Sequence, residues 1–161
     1  MWFRGGRANQ EGLLKEFSRT SAGIEDAAAL VGRQRGRPIR LLPWEFGSGT
    51  LSGLWVACDS TDYIVHPSDA LPTRRTAIIA HELAHMLLRH EPQTTIEGAE
   101  QLAKGLAPTL DPSIARRILA RHAESTPEEI EAERLGTELL ARLSLSTSAM
   151  SQDPILHRLL A

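Results

Sequence analysis

The sequence predicts an α+β fold, a small antiparallel sheet of about three strands packed on a helical bundle. Three observations carry that prediction. Apolar residues recur at helical spacing near the start of the chain and again beyond residue 72. Short runs rich in β-branched and aromatic residues, separated by turn residues, fill the stretch between them. A capping signature, Thr126-Pro127-Glu128-Glu129, then opens a further amphipathic helix. The 161 residues are 42% hydrophobic and 24% charged, which is enough apolar material for a single domain with its own core. The expected layout is N-terminal helices over residues 1–37, a core over 38–143 and a tail over 144–161.

Taken in order, residues 8–35 read as helix in two pieces, broken near Ser18-Arg19-Thr20-Ser21. Leu13, Leu14 and Phe17 form one stripe; Ile24, Ala27, Ala28 and Val31 form a second at i, i+3, i+4 and i+7. Arg33, Arg35, Arg37 and Arg40, interspersed with Gly and Pro, read as a solvated connector. Ile39–Leu42 is a strand expected to stop at Pro43. Leu54–Cys58 and Tyr63–His66, joined by Asp59-Ser60-Thr61-Asp62, form an antiparallel hairpin that Pro67 closes. Thr73 is placed to cap a long helix reaching about His90. Shorter helices fill 96–105 and 112–122, the second with Pro112 at its first position. The last strong helix runs from Thr126 to about Leu143, and Ser144–Asp153 reads as loop.

Composition excludes several classes of function. A net charge of −2 argues against a nucleic-acid binder held by overall charge, so no direct nucleic-acid binding is expected. Cys58 is the single cysteine, which excludes an internal disulfide framework and a Cys-rich zinc site. Residues 1–7 carry no apolar leader segment, and no apolar run reaches the length of a membrane span. A cytoplasmic protein without membrane partners is expected.

The chemistry lies in Ala77–Leu88, which contains His81-Glu82-Leu83-Ala84-His85. On a helix, His81 and His85 are one turn apart on one face, so both imidazoles can reach one metal ion. Glu82 stands beside them, placed to handle the proton of a water activated by the metal. The other residues of Ala77–Leu88 are all apolar. Polar groups buried there without partners would cost about 2–7 kcal/mol each, and a metal ion would satisfy all three. A catalytic zinc needs a third protein ligand and an open position. On the last helix, Ala132, Gly136, Leu139, Leu140 and Leu143 share one face. Glu129 and Glu133 project from that same face, whereas Glu131 points away from it. The third ligand is therefore Glu129 or Glu133. Glu129 has a competing reading as the N3 residue of the capping box.

The stretch Ala80-His81-Glu82-Leu83-Ala84-His85-Met86-Leu87-Leu88-Arg89-His90 resembles the core motif of the ImmA/IrrE family of metallo-endopeptidases. In that family a small sheet precedes the motif helix, and Glu-x-x-Ala-Asn/Asp-x-Phe-Ala-x-x-Leu-Leu follows it. Here Glu129-Ile130-Glu131-Ala132-Glu133-Arg134-Leu135-Gly136-Thr137-Glu138-Leu139-Leu140 stands in that register. The resemblance covers roughly residues 38–143. It implies one Zn²⁺ per chain held by His81, His85 and Glu129, with Glu82 as catalytic base. Glu133, where the family carries Asn or Asp, becomes a partner for a ligating imidazole. Leu135 and Gly136 replace an aromatic residue and Ala, and residues 94–125 are extra to the family pattern.

Together these observations lead to the expectation of a zinc-dependent endopeptidase acting on a protein substrate. The resemblance implies a regulatory substrate such as a helix-turn-helix repressor encoded nearby. The alternative is a zinc-bound interaction module that pairs with such a protein without turnover. Tyr63, His66, His90 and His122 are the candidates for polarising the scissile carbonyl. Tyr63 and His66 alternate sides of their strand, so only one of them can face the metal.

Overall fold

In this computed structural model, the described residues are 7–20, 23–45, 53–57, 60–91 and 126–151, and they form four helices and three strands. The order is α1 (Arg7–Thr20), α2 (Ile24–Arg35), β1 (Ile39–Trp44), β2 (Leu54–Ala57), β3 (Asp62–Pro67), α3 (Pro72–Leu88) and α4 (Pro127–Ser151). The fold is α+β, as the sequence predicts. Predicted helices 96–105 and 112–122 lie outside the described residues, as do the Phe46–Thr50 segment, Cys58 and His122.

The sheet is mixed, where wholly antiparallel pairing is expected from the sequence. Its order is β1-β3-β2, with β2 antiparallel and β1 parallel to β3. The predicted hairpin is present, with Leu54 opposite Val65 and Ala57 opposite Asp62. β1 passes over β2 in the order and pairs with the far side of β3, Ile39 against Asp62 through Trp44 against Pro67. The central strand is the one that can bury both faces, and Ile64 and Val65 are both fully buried. β1 also continues through Pro43. Asp62 and Ser68 donate to the carbonyls of Pro38 and Trp44. Even-numbered residues of β1 thus carry the ladder, and Pro43 turns its missing donor away from β3.

The core fills the space between the sheet and the helices. Leu14 and Phe17 of the first predicted stripe join Ile24, Ala27, Ala28 and Val31 of the second, with Leu30. Ile79, Ala80, Leu83, Ala84 and Met86 of α3 meet Ala132, Leu135, Leu139 and Leu143 of α4 in the same cluster. α4 lies along α3, α1 packs against α4, and α2 packs against α3 and β1. α3 starts one residue earlier than its predicted cap: Pro72 occupies the first turn, Leu71 precedes it, and no side chain caps the end. With Pro72 at the first position, Thr73 lies inside the first turn rather than ahead of it, where a capping residue would stand. α4 runs to Ser151, so residues 144–151 are helical where a loop is expected. Ser144 Oγ donates to the Leu140 carbonyl one turn back, a bond compatible with the helix running on.

The arginine run is more than a solvated connector. Asp62 is fully buried, and its Oδ2 accepts from Arg35 Nε and Nη2 at 3.1 and 2.9 Å. Arg37 Nη2 stands 3.3 Å from Oδ1. Arg35 also donates to the Met86 carbonyl and lies over the Trp55 ring at 5.0 Å. One carboxylate therefore ties the end of α2 to β3, and Arg35 extends that tie to the end of α3. No helix of the described residues is long and apolar enough to cross a membrane.

Candidate metal centre

The site forms where α3 crosses the first turns of α4. His81 and His85 share a face of α3, and their Nε2 atoms lie 3.0 Å apart. Glu129 reaches across from α4, placing Oε2 3.2 Å from His81 Nε2 and Oε1 3.4 Å from His85 Nε2. A tetrahedral ion bonded at about 2.0–2.1 Å sets its donors about 3.3–3.4 Å apart. The two nitrogens and the two carboxylate oxygens, each oxygen near a different histidine, stand close to that spacing. Among the described residues, these three side chains are the group whose donor atoms converge as metal ligands would.

The competition at Glu129 between cap and ligand resolves by atom. The backbone N–H of Glu129 donates to Thr126 Oγ1 at 3.2 Å, the first half of a capping box. Its carboxylate does not fold back to complete the box but points at the two histidines. Glu133 joins from outside. Three-quarters exposed rather than turned into the core, it brings Oε2 to 3.3 Å from His81 Nδ1. A carboxylate there favours the His81 proton on Nδ1, the tautomer whose Nε2 lone pair faces Glu129 and His85. Glu131 does not simply face solvent: its Oε2 lies 3.6 Å from His90 Nε2.

Helix separation is set by Gly136. A Cβ on this residue would stand 3.2 Å from His81 Cα and 3.3 Å from His81 N. Its absence lets α4 approach the backbone of α3 at the His81 turn, which brings Glu129 within reach of both histidines.

Glu82 faces the sheet side of the same turn and is only 2% exposed. Its carboxyl accepts the backbone N–H of Trp55, while Oε2 is buried with no hydrogen-bond partner among the described residues. Burial, with the Glu129 charge as a second cause, pushes its pKa up to about 8. A buried carboxyl oxygen without a partner, next to three converging lone-pair donors, fits a site built around a cation and a polar molecule bound to it. Gly53 and the Trp55 backbone were not legible as site residues. A Cβ at Gly53 would collide with Ile78 Cγ2 and stand 3.2 Å from Glu82 Oε1, so β2 can approach Glu82 only with glycine there.

The remaining candidates separate clearly. His66 is buried, with Nδ1 3.1 Å from the Pro67 carbonyl oxygen. Tyr63 alternates with Ile64 and therefore faces away from the core that Ile64 joins. Neither residue is among the converging donors. His90 contacts the site directly, its Nδ1 lying 2.9 Å from His85 Nδ1. Compared with family models, curated proteins and solved structures, the chain matches none of them.

Proposed function

We propose that this chain is a zinc-dependent endopeptidase whose metal is held by His81, His85 and Glu129. The observation that carries the reading is the convergence of His81 Nε2, His85 Nε2 and the Glu129 carboxylate, next to a buried Glu82 whose Oε2 lacks a partner among the described residues. The two nitrogens are 3.0 Å apart, with one carboxylate oxygen 3.2–3.4 Å from each. Two imidazoles and one carboxylate form a donor set that suits zinc and leaves a position open for substrate. When bound, the zinc acts as a Lewis acid and makes water nucleophilic near neutral pH. Glu82 takes the proton of the attacking water and returns it to the departing amine. The Trp55 N–H holds one Glu82 oxygen and leaves the other for this transfer. Glu133 keeps His81 in the ligating tautomer.

Among the described residues β2 is an edge strand, and it is the strand that reaches Glu82. An extended peptide adding along that edge brings its backbone carbonyls past the metal. The substrate of this reading is a protein, with a helix-turn-helix repressor as the first to test, and the setting is the cytoplasm.

The test has two stages. Purified protein should carry about one zinc per chain, and His81→Ala or Glu129→Gln should lose it. Co-expression with candidate helix-turn-helix proteins, followed by mass spectrometry, should show fragments with wild type and none with Glu82→Gln. Zinc-free protein that takes up no added zinc refutes the reading. Zinc-loaded protein that binds such a partner, with no fragments from wild type or variant, supports the module without turnover instead.

A further inference from the structure

We infer that His90 is a positioning residue for the metal centre: it accepts the Nδ1 proton of His85 and so turns the His85 Nε2 lone pair onto the ion. This inference rests on the proposed metal-binding reading of His81, His85 and Glu129.

The backbone brings His90 to this place. Arg89 follows the last turn of α3 with φ 62° and ψ 34°, the left-handed conformation that ends a helix. His90 N–H then donates to the His85 carbonyl at 3.0 Å, and Arg89 N–H to that of Met86 at 3.3 Å. The chain doubles back, and the His90 ring stands edge-on to that of His85, with centroids 5.1 Å apart. The His90 side chain is only 8% exposed. A non-glycine residue in the left-handed region is uncommon, and here it returns one imidazole to another.

The proton positions follow from the neighbours. Two nitrogens 2.9 Å apart need one proton between them, supplied by either ring. The other nitrogen of His90, Nε2, faces Glu131 Oε2 at 3.6 Å. That distance is too long for a hydrogen bond, but the carboxylate charge on that side favours the His90 proton on Nε2, which makes His90 Nδ1 the acceptor in the proposed arrangement. His85 therefore donates from Nδ1, and its Nε2 carries the lone pair. Glu133 does the same for His81. Both inner nitrogens and the Glu129 carboxylate then present lone pairs to one point, an arrangement that a cation stabilises and neutral partners would not. A ligating histidine whose second nitrogen donates to an outer acceptor is a common device for fixing ring orientation and tautomer.

His90→Asn and His90→Leu test this directly. The two replacements have nearly the same shape, but only Asn offers an oxygen where Nδ1 now accepts. Zinc affinity is read by competition with a chromophoric chelator, and the thermal unfolding of the zinc-free proteins is recorded alongside. His90→Leu should bind zinc about 10- to 100-fold more weakly than wild type, the usual loss when such an outer partner is removed. His90→Asn should stay within about threefold of wild type, as expected when the acceptor is retained. Nitrogen-15 spectra of the imidazoles in zinc-loaded wild type should place the His85 proton on Nδ1 and the metal on Nε2. Equal affinity in wild type and His90→Leu overturns the inference, as does an equal loss in both variants or metal on His85 Nδ1. A wild type that takes up no zinc overturns the proposed function along with it, whereas the other outcomes refute the role of His90 alone.

Discussion

Replacing Glu82 by Gln should stabilise the metal-free protein, and by more as the pH rises. Glu82 is almost completely buried, and its pKa is raised from 4.5 to about 8, first by burial and second by the Glu129 charge. A carboxyl whose folded pKa exceeds its unfolded value contributes fully below the unfolded value. That contribution is lost as the pH rises through the folded value. The loss therefore falls between pH 4.5 and about 8, with a limit of about 5 kcal/mol. Gln has nearly the same shape, carries no charge and can still accept the Trp55 N–H, so it should escape this loss. Zinc-free wild type and Glu82→Gln should be melted side by side at several pH values from 5.5 to 8. Between pH 6 and 7.5 the gap in favour of the variant should widen by about 2 kcal/mol. For a chain of this size that is about 4–8 °C in Tm. With zinc bound, the gap should shrink, because a nearby cation favours the carboxylate. Melting temperatures that run parallel across this pH range would refute the assignment of Glu82 as a buried, proton-holding carboxyl.

Other perturbations test the frame around the site. Gly136→Ala gains about 1 kcal/mol of helix propensity but pushes against the His81 backbone, and overpacking of this kind costs about 1–3 kcal/mol. Net destabilisation with weaker zinc binding is expected, since Glu129 moves outward with α4; a more stable variant with unchanged zinc affinity would contradict the close-approach argument. Asp62→Ala should cost about 3 kcal/mol in denaturant unfolding, near the low end for a broken buried pair, because Arg35 and Arg37 each keep about a quarter of their side-chain surface in water. A loss under about 1 kcal/mol, the range of exposed pairs, would show that the tie between α2 and β3 contributes little. Stripping zinc with a chelator should lower Tm and re-adding it should restore Tm, by about 4 kcal/mol at a thousandfold excess over Kd. Coincident melting curves with and without zinc would argue against a metal held by the folded state.

Much of the site was legible in the sequence because it rests on helical periodicity. The four-residue interval between His81 and His85 puts them on one face whatever surrounds the helix. The apolar face of α4, Ala132, Leu139 and Leu143, put Glu129 on the inward side, and all three residues are buried. The hairpin of β2 and β3 followed from two short apolar runs and a turn. Strand order did not follow, because β1 can satisfy its backbone equally well beside β2 or β3. That choice belongs to whichever strand the helices bury on both faces. The same holds for Arg35 and Arg37, whose partner Asp62 is 25 or more residues away and stands in what reads locally as a turn. Gly136 is legible as a member of the inward face of α4, but its close approach to His81, like that of Gly53 to Ile78 and Glu82, appears only when another element packs against it. His90 sits beyond the helix that carries the motif, and a left-handed Arg89 returns it to His85. Local spacing, then, determined which side chains could meet at a metal. Tertiary packing decided how far apart they stand and which outer groups hold their protons, because those depend on contacts between segments that no local pattern encodes.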